Sequence, residues 1–435
     1  MSRLRVRRAS GLAGRLRVPG DKSISHRAVI LGAIAQGETR VEGFLHGDDC
    51  LRTAHAVQEM GVTVDGLPGE CLRIEGVGLR GLKQPDGPLE MGNSGTGMRL
   101  LLGLIAGQGF EATLTGDESL SQRPMDRVAI PLGQMGAVVT GRGEKVLPPV
   151  SVRGGALRGI TYRPPMASAQ VKSAILLAGL NADGPTSVIE PARSRDHTER
   201  MLRAMGVALR VDDLTVTLTP GRPLAAQEVA VAADFSSAAY FIVASLLVPG
   251  AEVLLEGVLL NPTRTALLEA LEAMGAAIEV TGRREVAGEP VGNLCTRADG
   301  LRSAEVAGEM IPRLIDEVPL LAVAGTQAEG TTAIRDAGEL RVKECDRLRA
   351  IAATLTAMGA QIQELPDGLD ITGPTALRGA TVSSYGDHRI AMALAVAGLV
   401  AEGETIIEDT RCIDTSFPGF ADALRELGAD CVEEG

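Results

Sequence analysis

Long apolar runs alternate along the chain with short stretches in which apolar and polar residues take turns. The alternation recurs with a marker. A helix-like run ends at a Met-Gly pair, and a strand-like run follows. The pairs are Met60-Gly61, Met135-Gly136, Met205-Gly206, Met274-Gly275 and Met358-Gly359, and Leu427-Gly428 stands in a sixth copy. Successive copies of this glycine lie 69 to 84 residues apart. Upstream in each unit, an apolar segment ends near Gly37, Gly109, Gly184, Gly250, Gly330 and Gly403, and a β-like run such as Thr405-Ile-Ile-Glu408 comes next. A glycine just past a helix takes the left-handed geometry that ends it. Each unit therefore predicts strand, helix, strand, helix, strand.

Within the fourth unit, Leu267, Leu268, Leu271 and Met274 fall on one helical stripe, and Ile278 and Val280 follow at period 2. Six small α/β units, each with helices to bury, predict helices packed inside sheets. The period exceeds that of common solenoid repeats, so three units per globular domain is the natural grouping. A cut is expected near residues 225–232, after the turn-rich Pro220-Gly-Arg-Pro223. The rival reading is chance recurrence of Met-Gly, and the matching upstream glycines weigh against it.

Composition narrows the class. A chain of 435 residues suits two domains. Its net charge of −12 and its lack of Trp argue against a nucleic-acid or membrane-surface role. The six Cys are dispersed and form no CxxC, and the five His form no H-x-x-x-H, so no metal and no cofactor is indicated. Dispersed thiols fit a reducing cytosol, and a cytoplasmic location is expected. The start is Arg-rich without the apolar core of a secretory signal. It also fits a transit peptide, but Leu4 and Val6 alternating with Arg3, Arg5 and Arg7 read as a strand. The longest apolar runs, Phe241–Val248 and Ala391–Ala401, are about half the ~20 residues a membrane helix needs.

Eight polar clusters carry candidate chemistry. Lys22-Ser23 with Arg27 opens a helix, where free N–H groups and the dipole suit an anion. Gly92-Asn-Ser-Gly95-Thr-Gly97-Met-Arg99 lets backbone approach a ligand, and Arg123 could clamp an anion bidentately. Ala167-Ser168-Ala169-Gln170-Val-Lys172 and Ser194-Arg195-Asp196-His197-Thr198-Glu199 stand at further helix starts. Asp316-Glu317 lies between apolar residues, where burial raises a carboxylate pKa. Arg341-Val-Lys343-Glu344-Cys-Asp-Arg347 and Tyr385-Gly-Asp387-His-Arg389 complete the set. Taken singly, each also reads as a helix cap, a flexible turn or a solvated charge network.

Taken together, the clusters fall at equivalent places in different units, most of them just before a unit's first helix. Similar units would let these starts converge on one cleft, cationic from Lys22, Arg27, Arg123, Arg195, Lys343, Arg347 and Arg389. The overall negative charge does not forbid it. Distant carboxylates are screened beyond about 8 Å, while a direct charged hydrogen bond is worth roughly 1.5–3 kcal/mol. The expected ligands are small polyanions.

The segments Pro19-Gly-Asp-Lys-Ser-Ile-Ser-His-Arg27, Gly92–Gly97, Arg123-Pro124, Arg341–Arg347 and Asp387-His-Arg389 resemble the 5-enolpyruvylshikimate-3-phosphate synthase family over essentially the whole chain. The resemblance implies two similar α/β domains, each of three repeated units with sheets outside and helices inside. One domain would be discontinuous, 1–18 plus 228–435, and the other would be 19–227, with the active site in the cleft between. It implies that Lys22, Ser23, Arg27, Ser168, Gln170, Arg195, Asp316 and Lys343 hold shikimate 3-phosphate. Lys22, Gly95, Arg123, Gln170, Arg347 and Arg389 would hold phosphoenolpyruvate. Asp316 would be the base at the 5-hydroxyl, and Glu344, assisted by Lys22, the acid at the methylene carbon. Phosphate would leave from a tetrahedral intermediate, without a metal, as a step of aromatic amino acid biosynthesis.

Two features depart from the pattern. Ser168-Ala169 stands where many members have two serines, and Thr415-Ser416-Phe417-Pro418 lacks a lysine that some members supply, for which Arg313 is one possible substitute. Gly95 leaves space beside phosphoenolpyruvate, so glyphosate is expected to compete there. The partners expected are the two small substrates, with no nucleic acid and no membrane, for a chain acting as a monomer. The nearest rival is the sister enzyme acting on UDP-N-acetylglucosamine. That enzyme typically has Lys-Asn in the first motif and a loop Cys as acid, whereas here Ser follows Lys22 and no Cys lies between 71 and 295. A non-catalytic phosphosugar-binding module is the rival of another class.

Overall fold

In five of the units the opening helix has its start closed by a neighbouring side chain, and in the fifth unit the helix Val318–Gln327 has no such cap. Asp21 accepts from the Ile24 N–H, Ser94 from Gly97, Ser168 from Val171, Asp234 from Ser236 and Asp387 from Arg389. Such caps satisfy donors that a helix start leaves open. The structure, a computed structural model, describes residues 2–297 and 300–435. Met1, where the first expected domain begins, lies outside the described residues, as do Ala298 and Asp299.

The chain divides into two units of structure, Met1–Pro19 with Ala232–Glu285 and Pro290–Gly435, and Gly20–Val231 with Val286–Glu289. Among the described residues each carries three larger sheets of the same design, and Leu157–Arg158 with Ala182–Asp183 adds a two-stranded one. The sheet of Leu89–Glu90, Glu111–Thr115, Leu147–Arg153 and Val138–Arg142 shows the shared design, with the strands in that spatial order. The first pair is parallel and the other two pairs are antiparallel. The five-element repeat read from the sequence is corrected here. Each full repeat has six elements, because the run after the second helix folds back as a hairpin such as Val138–Arg142 with Leu147–Arg153.

Three of these sheets borrow a strand from far along the chain. Glu228–Ala230 lies parallel to Gln36–Glu42, and Ala13–Leu16 lies parallel to Glu252–Leu259. Arg3–Arg7 fits antiparallel between Glu404–Glu408 and Cys431–Glu434. As its alternation predicts, Leu4 and Val6 are fully buried. Outside, Arg3 pairs with Glu408, Arg5 with Glu404 and Glu434, and Arg7 with Glu404 and Asp430.

The repeated Met-Gly pair has a simple cause. Met60, Met135, Met205, Met274, Met358 and Leu427 are all buried, each the last anchor of a second helix. The glycine after each one has positive φ, from 88 to 113°. Of the upstream glycines, Gly37, Gly184, Gly250, Gly330 and Gly403 are also left-handed, and Gly109 is not. In the fourth unit Leu267, Leu271 and Met274 are buried as expected, but Leu268 is only half-buried and Ala266 and Ala270 complete the stripe.

The first helices are buried on every side. In Gly95–Ala106 and Ala169–Gly179 nearly every residue is inaccessible. They approach so closely that a Cβ on Gly103 would lie 2.3 Å from the Ala174 carbonyl oxygen. Another regularity recurs in four repeats. Gly32, Gly179, Gly325 and Gly398 each face a buried threonine seven residues on, namely Thr39, Thr186, Thr332 and Thr405, where the chain returns as a strand.

Candidate active site

In the unit Gly20–Val231, three helix starts bring polar groups into contact. Lys22 and Arg27 lie on the helix Lys22–Ala33 with Ser23 between them. The Lys22 ammonium pairs with Asp49, a buried acid at the start of the next helix. Arg27 is 3% exposed, and its guanidinium is aimed by three contacts. Its Nε donates to Thr198 Oγ1 at 2.6 Å, its Nη2 to Ser173 Oγ at 2.8 Å and its Nη1 to the Ser23 carbonyl at 2.9 Å. His26, on the same turn, is fully buried 2.8 Å from Thr53 Oγ1. Burial, with Lys22 and Arg27 beside it, pushes its pKa well below the usual histidine value, so it serves as a neutral packing group.

Arg123 and Gly95 meet nearby. Arg123 Nη2 donates to Asn93 Oδ1 at 2.6 Å, and a Cβ on Gly95 would stand 3.1 Å from Arg123 Nη1. It would also stand 3.2 Å from Nη1 of Arg99, which closes the glycine-rich cluster and to which the sequence assigns no ligand. Arg99 Nη1 donates to Gln170 Oε1 at 2.7 Å, and Gln170 Nε2 donates to Thr96 at 2.8 Å. Gly95, Arg123 and Gln170 thus stand on one connected group. Thr53, bonded to His26, reaches within 2.5 Å of where a Gly97 Cβ would be, which links this group to the Lys22 helix. Ser168 caps the Gln170 helix, and partly exposed Arg195 precedes the helix carrying Thr198.

In the other unit one guanidinium organises the acids. Arg347 is 1% exposed. Its Nε lies 2.7 Å from Asp387 Oδ2, its Nη2 2.6 Å from Glu344 Oε2 and its Nη1 3.2 Å from Asp316 Oδ1. Burial opposes its charge, but Asp387, Glu344 and Asp316 outweigh that and hold its pKa well above the ordinary arginine value. Arg389 faces the other Asp316 oxygen at 3.5 Å. Lys343 completes the set. Desolvation lowers its pKa despite the neighbouring Asp316 and Glu339. These residues are therefore not the solvated network that their composition also allowed.

Behind them Arg264, 1% exposed, donates to Ser236 at 2.6 Å, and Ser236 donates to the buried Glu317, which faces Arg389 at 3.9 Å. Sequence gave no sign of this chain, since Arg264 stands in an ordinary-looking loop. Arg313 does not join the acids. It donates to the Pro262 carbonyl at 2.9 Å and pairs with Glu269. The departing segment near Thr415 is built into the core, with the Phe417 ring 5.4 Å from that of Phe420 and 6.0 Å from that of Phe241. Cys345, 3.7 Å from Asp387, is buried enough that its thiol pKa is raised.

Among the described residues, Asp196, His197 and Glu289 form one group with metal-ligand spacing. Arg200 lies 2.9 Å from Asp196 and 3.6 Å from Glu289, so a guanidinium already supplies the counter-charge there. No helix among the described residues is long and apolar enough to cross a membrane.

Comparison with known proteins shows the family. Residues 6–424 match the family model described as EPSP synthase (3-phosphoshikimate 1-carboxyvinyltransferase). A 3-phosphoshikimate 1-carboxyvinyltransferase of Desulforudis audaxviator is 53% identical over 98% of this chain and 99% of its own length. One from a Synechococcus strain is 54% identical over 96% and 95%. A solved structure of EPSP synthase from Acinetobacter baumannii superposes with a TM-score of 0.89 at 44% identity, with all of both chains covered. The chain belongs to the EPSP synthase family.

Proposed function

We propose that this enzyme transfers the enolpyruvyl group of phosphoenolpyruvate to the 5-hydroxyl of shikimate 3-phosphate and releases phosphate. The observation that carries the reading is Arg347, which holds Asp316 and Glu344 on one buried guanidinium. Two carboxylates held in fixed positions are what a reaction needs when it takes one proton and delivers another.

In this reading Lys22, Ser23, Arg27, Ser168, Gln170, Arg195, Asp316 and Lys343 hold shikimate 3-phosphate. Lys22, Gly95, Arg123, Gln170, Arg347 and Arg389 hold phosphoenolpyruvate. Asp316 takes the proton of the 5-hydroxyl as its oxygen adds to C2 of phosphoenolpyruvate. Glu344, with Lys22 assisting, protonates the methylene carbon, and a tetrahedral intermediate results. Loss of a proton from that carbon expels phosphate and restores the double bond. Fixed cations stabilise the charge that moves onto the leaving group. Phosphate leaves readily, so the steps use only side chains and substrates. The substrates are small molecules, and the enzyme works as a cytoplasmic monomer without a macromolecular partner.

Phosphate release by purified protein tests the proposal. Release is expected only when shikimate 3-phosphate and phosphoenolpyruvate are both present. Release with UDP-N-acetylglucosamine and none with shikimate 3-phosphate would transfer the assignment to the sister reaction. Tight binding of both ligands without turnover would make the protein a binding module.

A further inference from the structure

Lys172 lies on the helix Ala169–Gly179 and is 1% exposed. Its ammonium stands 2.7 Å from Glu190 Oε2 and 2.7 Å from Glu199 Oε1. The other oxygen of Glu190 accepts the Ser194 hydroxyl. A single cation thus ties down both ends of the segment running from Glu190 to Glu199. Two residues proposed above to meet the acceptor depend on that segment. Arg195 follows Ser194 directly. Thr198 precedes Glu199, and its hydroxyl accepts from Arg27 and lies 2.7 Å from Ser173, the neighbour of Lys172.

We propose that Lys172 is a positioning residue for the phosphorylated acceptor, fixing the Glu190–Glu199 segment in the shape that presents Arg195 and Arg27. The inference rests on the functional reading above. Burying three charges is a poor way to gain stability, since apolar residues of similar volume do as well or better. What the charges give is geometry. The Lys172 ammonium is committed to the two glutamates, so it holds the segment rather than the ligand. Arg123 is aimed separately, through Asn93, and Gly95 lies on another helix, Gly95–Ala106. Disturbing Lys172 therefore weakens shikimate 3-phosphate selectively and leaves phosphoenolpyruvate nearly untouched.

Steady-state kinetics, calorimetric titration with shikimate 3-phosphate and thermal melts of the full chain test this in Lys172→Met, Lys172→Arg and Ser194→Ala. Ser194→Ala is small and neutral. It is expected to raise KM and Kd for shikimate 3-phosphate about five- to tenfold, with KM for phosphoenolpyruvate within about twofold of wild type. Lys172→Met is expected to raise the same two constants about a hundredfold, and Lys172→Arg to recover part of the loss. If Lys172→Met does not fold, Ser194→Ala and Lys172→Arg decide. Constants for the two substrates that rise in parallel, a fall in kcat alone, or an unmoved shikimate 3-phosphate constant overturns the inference. Wild-type protein that does not bind shikimate 3-phosphate overturns the functional reading, and this inference with it. Intact wild-type binding with unmoved variants overturns only the inference.

Discussion

Glu344 Oε2 lies 2.6 Å from Nη2 of Arg347, three residues along, at the start of the helix Arg347–Ala357. A proton donor in this place must work beside a permanent positive charge. Glu344→Gln keeps the shape and removes the transferable proton. Turnover is expected to fall about 10²- to 10⁴-fold, with shikimate 3-phosphate binding changed by less than about threefold. Asp316→Asn should behave alike. Full turnover in either variant removes that residue from its role.

Gly95 has no positive φ, so alanine there strains no backbone, but its methyl group would stand 3.1 and 3.2 Å from two guanidinium nitrogens. Glyphosate is expected to inhibit the wild type competitively with phosphoenolpyruvate. Gly95→Ala is expected to raise the glyphosate inhibition constant at least tenfold and the phosphoenolpyruvate KM by less, about two- to fivefold. Inhibition studies across both substrates decide. Wild-type turnover that persists at high glyphosate contradicts the placement.

Lys343 links pH to both stability and binding. Desolvation lowers its folded pKa below the 10.5 of a free lysine. Below the folded pKa the protein keeps an ammonium in a poorly solvated place, which costs stability. Between the folded pKa and 10.5 the unfolded chain binds more protons, so stability rises with pH. Over that window the charge that would hold a phosphate disappears. Shikimate 3-phosphate affinity should therefore weaken as pH rises, and Lys343→Arg should flatten that loss. Lys343→Met should raise Tm at neutral pH while weakening shikimate 3-phosphate binding about tenfold or more. Melts and titrations over pH check both, and a lower Tm in Lys343→Met contradicts the burial argument.

Two helix glycines should answer alanine in opposite ways. At Gly103 the new methyl group meets backbone, 2.3 Å from the Ala174 oxygen, and can be placed only by parting two helices. A loss of roughly 3 kcal/mol is expected. At Gly133, inside the helix Asp126–Met135, nothing lies within 4 Å, so alanine should add about 0.5–1 kcal/mol through helix propensity. Denaturant melts of the pair measure both.

The repeat and its punctuation were legible because they are local. A buried Met followed by a left-handed Gly leaves a mark two letters long, and six copies make it readable. The cap residues Asp21, Ser94, Asp234 and Asp387 carry the same kind of signal. The borrowed strands were not legible in the residues themselves. Nothing in Glu228–Ala230 says that its partner is Arg40 to Glu42, because that pairing is decided by packing across the whole unit. Lys172 and Glu199 stood in two separate helix-start clusters and Glu190 in neither, and only the fold buries the three against one another. Arg99 was hidden for another reason. It closes the glycine-rich cluster with no partner legible beside it, and only the closeness of Gly95 and Gln170 gives it meaning. The glycine-to-threonine spacing of seven was readable in principle, at Gly32 and Thr39 or Gly398 and Thr405.

The strand Arg3–Arg7 fits between Glu404–Glu408 and Cys431–Glu434, with Arg3 opposite both Glu408 and Glu434. The ribosome makes that strand before either partner. The sixth sheet therefore stays unfinished until nearly the whole chain has emerged, and it closes only then.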